Sequence, residues 1–452
     1  MTAEEPLTVQ PRTRIVPQTV RGMRDHRPPA MILRHYVADT LRAVFERFGF
    51  DPLQTPAVEY AETLEGKYGE EADRLIYTFE DRGGRRVGLR YDLTVPLARV
   101  VAQYPDLPKP FKRYQIAPCW RAERPQRGRY REFVQCDVDI VGSASMLADA
   151  EVVTVACVAF QTLGFKHFTV RLNHRKVLAG LAEVLGLDPQ TSAQVYRSVD
   201  KLDKIGPEGV RAELAERGLA PDLIDRLFEF FTLTGPSRDI LTTLRERLQA
   251  SAVGLEGIAE LEALLDALAM SGVSPQFYRL DLSMVRGLEY YTGPIFEAVV
   301  EEPRIGSIAG GGRYDRLIGL FSGRDYPATG LSIGLDRVCD VIEELGLRPP
   351  DLRPTLVEAL VTVFNSDLAP ESIRLANELR AAGRRVSVYL GEDTLRAQLR
   401  YAHRLGVPYV LILGPDEMAR QVVIVRDMAT GAQTEVPRTA VATALPARAP
   451  GG

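Results

Sequence analysis

Tyr130-Arg-Glu-Phe-Val-Gln-Cys-Asp-Val-Asp-Ile-Val141 is the stretch that decides how this chain folds. In an extended backbone successive side chains point to opposite faces, so Arg131, Phe133, Gln135, Asp137 and Asp139 share one face and Val134, Cys136, Val138 and Ile140 the other. One face is core and the other is a polar row. A lone strand of this kind reads as a sheet with one solvated side. Upstream, however, Phe111 to Arg121 is a second candidate strand, and the polar connection Ala122 to Arg129, with Pro125 and Gly128, is a turn. The two form a long antiparallel hairpin with a basic tip. Pairing brings Arg113, Gln115 and Arg121 to the polar face. Guanidinium forks beside carboxylates and amides suit a ligand that carries both anionic and cationic groups.

Outward from the hairpin, Ile32, Tyr36, Leu41, Val44, Phe45 and Phe48 recur at helical spacing between Pro29 and Phe48, and Gly49 ends that helix. An extended segment runs to Pro56. Leu75 to Glu80 and Arg86 to Asp92 are short strands joined by the turn Asp81-Arg82-Gly83-Gly84. Leu, Ala, Glu and Arg at helical period fill residues 176–271, a helical insertion, and strands resume at Tyr278 and at Ile295 to Val300. Gly310-Gly311-Gly312 permits close approach of backbone to a ligand, but without a following Gly-Lys-Ser/Thr it is not a phosphate loop of the Walker kind, and by itself it reads as a turn. Pro349-Pro350-Asp351-Leu352-Arg353-Pro354 is a stiff linker, because each proline fixes its own backbone and restricts its predecessor. Beyond it, Leu356 to Phe364, Val386 to Leu390 and Tyr409 to Leu413 alternate with helical stretches as a small α/β unit.

The fold class is therefore α+β, an antiparallel sheet core flanked by helices. The expected division is a loose N-terminal tail over 1–18, a main domain over 19–175 and 272–346, the insertion over 176–271, a linker over 347–354, the small α/β domain over 355–440, and a C-terminal tail over 441–452. With 45% hydrophobic and 26% charged residues in 452, the composition is that of a globular enzyme rather than a disordered or fibrous chain. A net charge of -4 does not advertise a nucleic-acid binder, although a local basic patch can still hold phosphates. Cys119, Cys136, Cys157 and Cys339 show no CxxC pairing, so neither a zinc site nor a disulfide framework is expected, and a reduced cytoplasmic setting fits. The opening residues lack the apolar run of a signal peptide or membrane anchor.

Four segments carry a resemblance to a known family. Phe111 to Gly142, containing Cys-Trp-Arg121-Ala-Glu123-Arg-Pro-Gln126 and Gly128-Arg-Tyr-Arg-Glu-Phe133, resembles motif 2 of class II aminoacyl-tRNA synthetases in its histidyl form. Arg286-Gly-Leu-Glu-Tyr-Tyr291-Thr-Gly resembles the histidine-binding motif of that family, Gly330-Leu-Ser-Ile-Gly-Leu-Asp-Arg337 resembles motif 3, and the helix through Gly49 to Pro56 is similar to motif 1. Arg90-Tyr-Asp92-Leu-Thr94 agrees with them, and the small α/β domain is similar to the anticodon-binding domain of this class.

The resemblance implies a role for each matching residue. Arg121 and Arg337 would hold the ATP phosphates, Glu123 the adenine amine, and Phe133 would stack on the base. Asp92, Thr94 and Gln135 would bind the amino group of histidine, Asp139, Tyr291 and Tyr314 would surround its imidazole, and Gly310-Gly311-Gly312, next to Tyr314, would become wall of the site rather than a turn. Arg286 would stabilise charge on the α-phosphate and reach the histidine carboxylate. Arg121, Arg286 and Arg337 would thus form the catalytic set, with no covalent enzyme intermediate. Arg124 and Gln126 at the hairpin tip would read the acceptor end of histidine tRNA. The implied ligands are L-histidine, histidine tRNA and ATP with Mg2+; no zinc, organic cofactor or membrane is implied, and the family implies a homodimer. Two departures concern contact geometry at the imidazole and amine: Asp139 stands where many bacterial relatives have the longer Glu, and Arg90-Tyr-Asp-Leu-Thr94 is closer to the eukaryotic and archaeal version of the family than to the common bacterial one; a third, Glu289 where Asp is commoner, need not alter the role. The main rival is a synthetase-like regulatory subunit of ATP phosphoribosyltransferase, which would not need Arg286, Arg337, the Arg124-Pro-Gln126 tip or the unit after Pro354. A synthetase-like tRNA-sensing module would need an effector segment that 452 residues do not contain.

Overall fold

The structure is a computed structural model describing residues 15–67, 73–285, 290–303 and 305–446. Its chain opens into the helix Pro28–Arg47, where Pro28 and Pro29 occupy the first turn. Their missing N–H groups cost nothing there, and their fixed φ suits the helix. Leu33, Val37, Leu41, Val44 and Phe45 form the buried stripe of this helix. Truncating the fully buried Phe45 to Ala would cost about 3–5 kcal/mol.

The strands are β1 (Asp51–Pro52), β2 (Val58–Tyr60), β3 (Thr78–Glu80), β4 (Arg86–Leu89), β5 (Phe111–Trp120), β6 (Glu132–Val141), β7 (Thr169–His174), β8 (Tyr278–Leu280), β9 (Pro294–Val299), β10 (Ser307–Arg313) and β11 (Ala328–Gly334). Eight of them form the central sheet in the order β1-β5-β6-β11-β10-β9-β7-β8. Only its outer pairs, β1 with β5 and β7 with β8, are parallel. The expected hairpin is present, with Arg113 opposite Asp139, Gln115 opposite Asp137 and Cys119 opposite Phe133. β2, β4 and β3 make a small separate antiparallel sheet.

One face of the central sheet is the core. Cys136, Val138 and Ile140 pack there with Val152, Val153, Ala156 and Phe160 of the helix Met146–Thr162. That helix is apolar all round, as a helix sandwiched in a core must be. The insertion is not a separate body. Val177, Leu178 and Leu181 of the helix Arg175–Leu185 and Leu261, Leu264 and Leu268 of the helix Ala252–Met270 belong to the same apolar core. His174, fully buried, meets Glu260 at 2.7 Å and ties the two regions.

After the linker, β12 (Ala359–Val361), β13 (Val386–Val388), β14 (Tyr409–Ile412), β15 (Val422–Asp427) and β16 (Gln433–Pro437) form a five-stranded sheet, ordered β13-β12-β14-β15-β16. The sequence reading found the first three and missed the antiparallel β15 and β16. The core of this unit holds Ala359, Leu375, Leu379, Leu411 and Val423, and also Val441 and Leu445. Residues 441–445, expected to begin a tail, are therefore part of the packed unit. No helix among the described residues is long and apolar enough to cross a membrane.

Candidate active site

The polar face of β6, β10 and β11 floors a cavity of about 470 Å3. Arg121, Glu123, Phe133, Arg337, Asp92, Thr94, Gln135, Asp139, Tyr291 and Tyr314 all line it. Arg124 and Gln126 lie outside, exposed at the hairpin tip, where Gln126 and Arg129 exchange backbone hydrogen bonds of 3.1 and 2.9 Å. Arg286 and Glu289 lie outside the described residues.

At the deep end, Asp139 is enclosed. Arg113 Nη2 meets it at 2.7 Å and also donates to the Leu93 carbonyl at 3.0 Å, while the Tyr314 hydroxyl donates to Asp139 Oδ1. Both members of this ion pair are almost wholly out of solvent. Burial raises the Asp139 pKa, and Arg113 and Tyr314 oppose that rise. Burial, reinforced by the Asp139 charge, pushes the Tyr314 phenol well up, so it remains a donor. Two glycines make this packing possible. A Cβ at Gly330, opposite Asp139 in the register, would sit 1.9 Å from Asp139 Oδ1, and one at Gly311 would sit 2.1 Å from the Gly330 carbonyl oxygen. Gly310 to Gly312 are thus the middle of β10, not a turn.

Next along the same face, Gln135 Nε2 donates to Ser332 Oγ at 2.6 Å and reaches Asp137 Oδ1 at 3.4 Å. Burial, then the neighbouring Asp139 charge against the attraction of Arg113, leaves the Asp137 carboxyl raised to about 7. Asp92 Oδ1 accepts from Val95 N at 3.1 Å at the start of the helix Thr94–Gln103. Arg90 does not line the cavity. It is buried, and its guanidinium donates to the carbonyls of Thr55, Pro56 and Pro118 at 2.7, 3.2 and 2.9 Å, which knits β4 to the β5 edge.

The outer end is held differently. Arg121 Nε donates to the Tyr91 carbonyl at 2.9 Å, and its guanidinium lies 5.0 Å from the centre of the Phe133 ring. Arg337 donates from Nε to the Gly128 carbonyl at 2.6 Å and from Nη1 to that of Ser307 at 2.5 Å. Glu123 meets Arg129 at 3.2 Å. Backbone carbonyls orient both guanidinium groups on the cavity wall, where they suit an anion. A cavity with carboxylates deep inside and guanidinium groups at its mouth fits a zwitterionic small molecule joined to a polyphosphate.

Comparison with known proteins agrees with this polarity. Residues 22–338 match the family described as histidyl-tRNA synthetase, and residues 358–448 match the anticodon binding domain. The chain belongs to the histidyl-tRNA synthetase family. A histidine–tRNA ligase of Gloeobacter violaceus is 46% identical over 93% of this chain and 96% of its own length. One from Aeropyrum pernix is 47% identical over the same shares. The crystal structure of histidyl-tRNA synthetase from Nostoc sp. PCC 7120 superposes with a TM-score of 0.85 at 32% identity, covering 96% of this chain and 99% of that one.

Within the family framework, the cavity-lining residues to which the sequence assigned no role include Asp137, Tyr290, Ser332 and Asp336. Asp137 stood in the polar row and Asp336 in the motif 3 segment, so both were visible as residues but not as parts of the wall. Asp336 is the junction of three segments. It accepts from Arg34 Nη1 at 2.6 Å, Arg24 Nη2 at 2.8 Å and Val134 N at 2.9 Å. No group of three or more His, Cys, Asp or Glu side chains that could hold a metal exists among the described residues.

Proposed function

We propose that this chain is a histidine–tRNA ligase. It joins L-histidine to ATP, forming histidyl-adenylate and releasing pyrophosphate, and then passes the histidyl group to the 3′ end of histidine tRNA, releasing AMP. The observation that carries the reading is the cavity itself: a deep carboxylate-and-tyrosine end and a guanidinium mouth on one antiparallel sheet face. In the first step a histidine carboxylate oxygen attacks the α-phosphorus in line with the departing pyrophosphate. Arg121 and Arg337 take the charge of the phosphate oxygens, and Arg286 is assigned to the α-phosphate by the motif it stands in. Catalysis is positioning plus electrostatics, both supplied before the reaction begins.

Asp92, Thr94 and Gln135 hold the ammonium group, and Asp139, Tyr291 and Tyr314 face the imidazole. Leucine or phenylalanine would leave those buried polar groups unpaired, so discrimination can be large without editing. Glu123 meets the adenine amine and Phe133 its face. Magnesium arrives with the triphosphate. Arg124 and Gln126 meet the acceptor end, and the unit after Pro354 meets the anticodon arm. The working form is a cytoplasmic homodimer.

Charging of histidine tRNA with labelled histidine tests the reading. Histidyl-tRNA is expected with ATP present, and no product without it. Absence of charging, together with stimulation of an ATP phosphoribosyltransferase, would overturn it in favour of the regulatory reading.

A further inference from the structure

The segment Val20 to Arg27 lies before the first helix, and one of its side chains, Arg24, reaches Asp336 of the cavity wall. Its contacts are concentrated on the hairpin whose tip carries Arg124 and Gln126. The Gly22 carbonyl accepts from Arg131 N at 2.9 Å, and the Arg21 carbonyl accepts from Arg131 Nη1 at 3.2 Å. Arg131 Nε in turn donates to the carbonyl of Glu123, on the opposite arm, at 3.0 Å. Gly22 has φ +88°, and a Cβ there would stand 2.7 Å from Pro125 Cγ and 2.9 Å from Arg131 Cδ. Both its left-handed backbone and its missing side chain are needed for the segment to close on the hairpin. Arg24 lays its guanidinium 3.4 Å from the centre of the Tyr130 ring and pairs with Asp336 at 2.8 Å. Tyr130, on the cavity wall, donates to Asp340 at 3.1 Å.

The tip has a second anchorage on its inner side, the hydrogen bond from Arg337 Nε to the Gly128 carbonyl. A phosphate group arriving in the cavity would compete for Arg337, because a charge-assisted bond to an anion outweighs one to a carbonyl. The outer contacts with Gly22 and Arg24 involve no cavity cation, so a phosphate does not compete for them directly. They therefore bear the tip when the nucleotide end is occupied, which is when the tip must meet the acceptor strand.

We infer that Val20 to Arg27 is a clasp, with Gly22 and Arg24 as positioning residues that fix the hairpin tip for the transfer step. The kinetic part of this inference rests on the proposed ligase reading, whereas the mechanical part does not. Two measurements on the full-length chain separate them. Amide hydrogen exchange in Arg24→Ala should be at least ~10-fold faster in peptides spanning Arg124 to Arg131, with the unit after Pro354 unchanged. Unchanged tip exchange overturns the clasp, whether or not the chain charges tRNA. In assays with histidine, Arg24→Ala should raise KM for ATP yet keep the pyrophosphate-exchange kcat within about threefold, while kcat for tRNA charging falls ~10-fold or more. Arg24→Lys, which keeps the charge at Asp336, should recover part of the loss. Equal losses of kcat in both steps, accompanied by a lower Tm, would overturn the positioning role in favour of plain stabilisation. Gly22→Ala, strained by φ and by contact, should reproduce the pattern of Arg24→Ala. A wild-type chain that charges no tRNA but shows the exchange difference leaves the clasp standing and removes the ligase reading.

Discussion

The two ends of the cavity are built on opposite plans. At the deep end, protein groups are paired with one another: Arg113 with Asp139, Tyr314 with Asp139, Gln135 with Ser332. At the mouth, Arg121 and Arg337 donate to the carbonyls of Tyr91, Gly128 and Ser307. The deep end is consequently part of the fold's stability as well as its chemistry. The mouth turns guanidinium groups, anchored on backbone carbonyls, toward the cavity they line. Substitutions at the two ends should therefore separate on an unfolding curve.

The largest expected effect is at the deep end. Arg113→Met leaves the Asp139 carboxylate buried without its cation, and urea denaturation should show a loss of about 3–5 kcal/mol. A loss below 1 kcal/mol would mean that Asp139 is not buried as a charge. Gly330→Ala pushes a methyl group into the Asp139 carboxylate and should cost about 1–3 kcal/mol, with histidine affinity falling alongside. Tyr314→Phe removes one hydrogen bond to a carboxylate. A cost of about 1.5 kcal/mol is expected in the same assay, with a raised KM for histidine and little change in KM for ATP.

Asp137→Asn sharpens the contrast through pH. The folded-state pKa of Asp137 is raised from 3.8 to about 7, mainly by burial. The raised value favours the folded protein at pH below 3.8, and that contribution is lost as pH rises through about 7. Asp137→Asn should therefore match the wild-type Tm near pH 4 and exceed it at pH 8, by at least ~1 kcal/mol of unfolding free energy. An advantage that shrank with rising pH would contradict the assignment. The smallest effect on stability is at the mouth. Arg121→Lys should change unfolding free energy by less than about 0.5 kcal/mol, while kcat/KM for ATP falls ~100-fold.

Much of this division was legible in the sequence, because period-two alternation from Arg131 to Ile140 assigns the polar face without any knowledge of partners. The pairing of Arg113 with Asp139 was accessible only as a shared face, since spacing along the chain cannot say which carboxylate a buried cation chooses. Gly310 to Gly312 read locally as a turn because glycine is the usual turn residue, yet here the missing side chains let β10 approach β11. Separation of the insertion from the main core was equally a local reading. Helical periodicity in Arg175–Leu185 and Ala252–Met270 shows which face is apolar, not that the face is covered by the central sheet. Val20 to Arg27 carried no signal, because its contacts are made by backbone carbonyls, one left-handed glycine and an Arg24 whose partners lie more than a hundred residues away. β15 and β16 were missed for a related reason: Arg426, Asp427 and Glu435 dilute the strand pattern on a two-stranded edge.

The central claim is that one cavity joins histidine to ATP, and ATP–pyrophosphate exchange measured with each amino acid in turn tests it most directly. The account predicts exchange with histidine, at least ~100-fold weaker exchange with leucine, phenylalanine or glutamine, and its loss in Arg121→Ala at unchanged Tm. Exchange supported equally well by another amino acid, or none with histidine in folded protein, would contradict it.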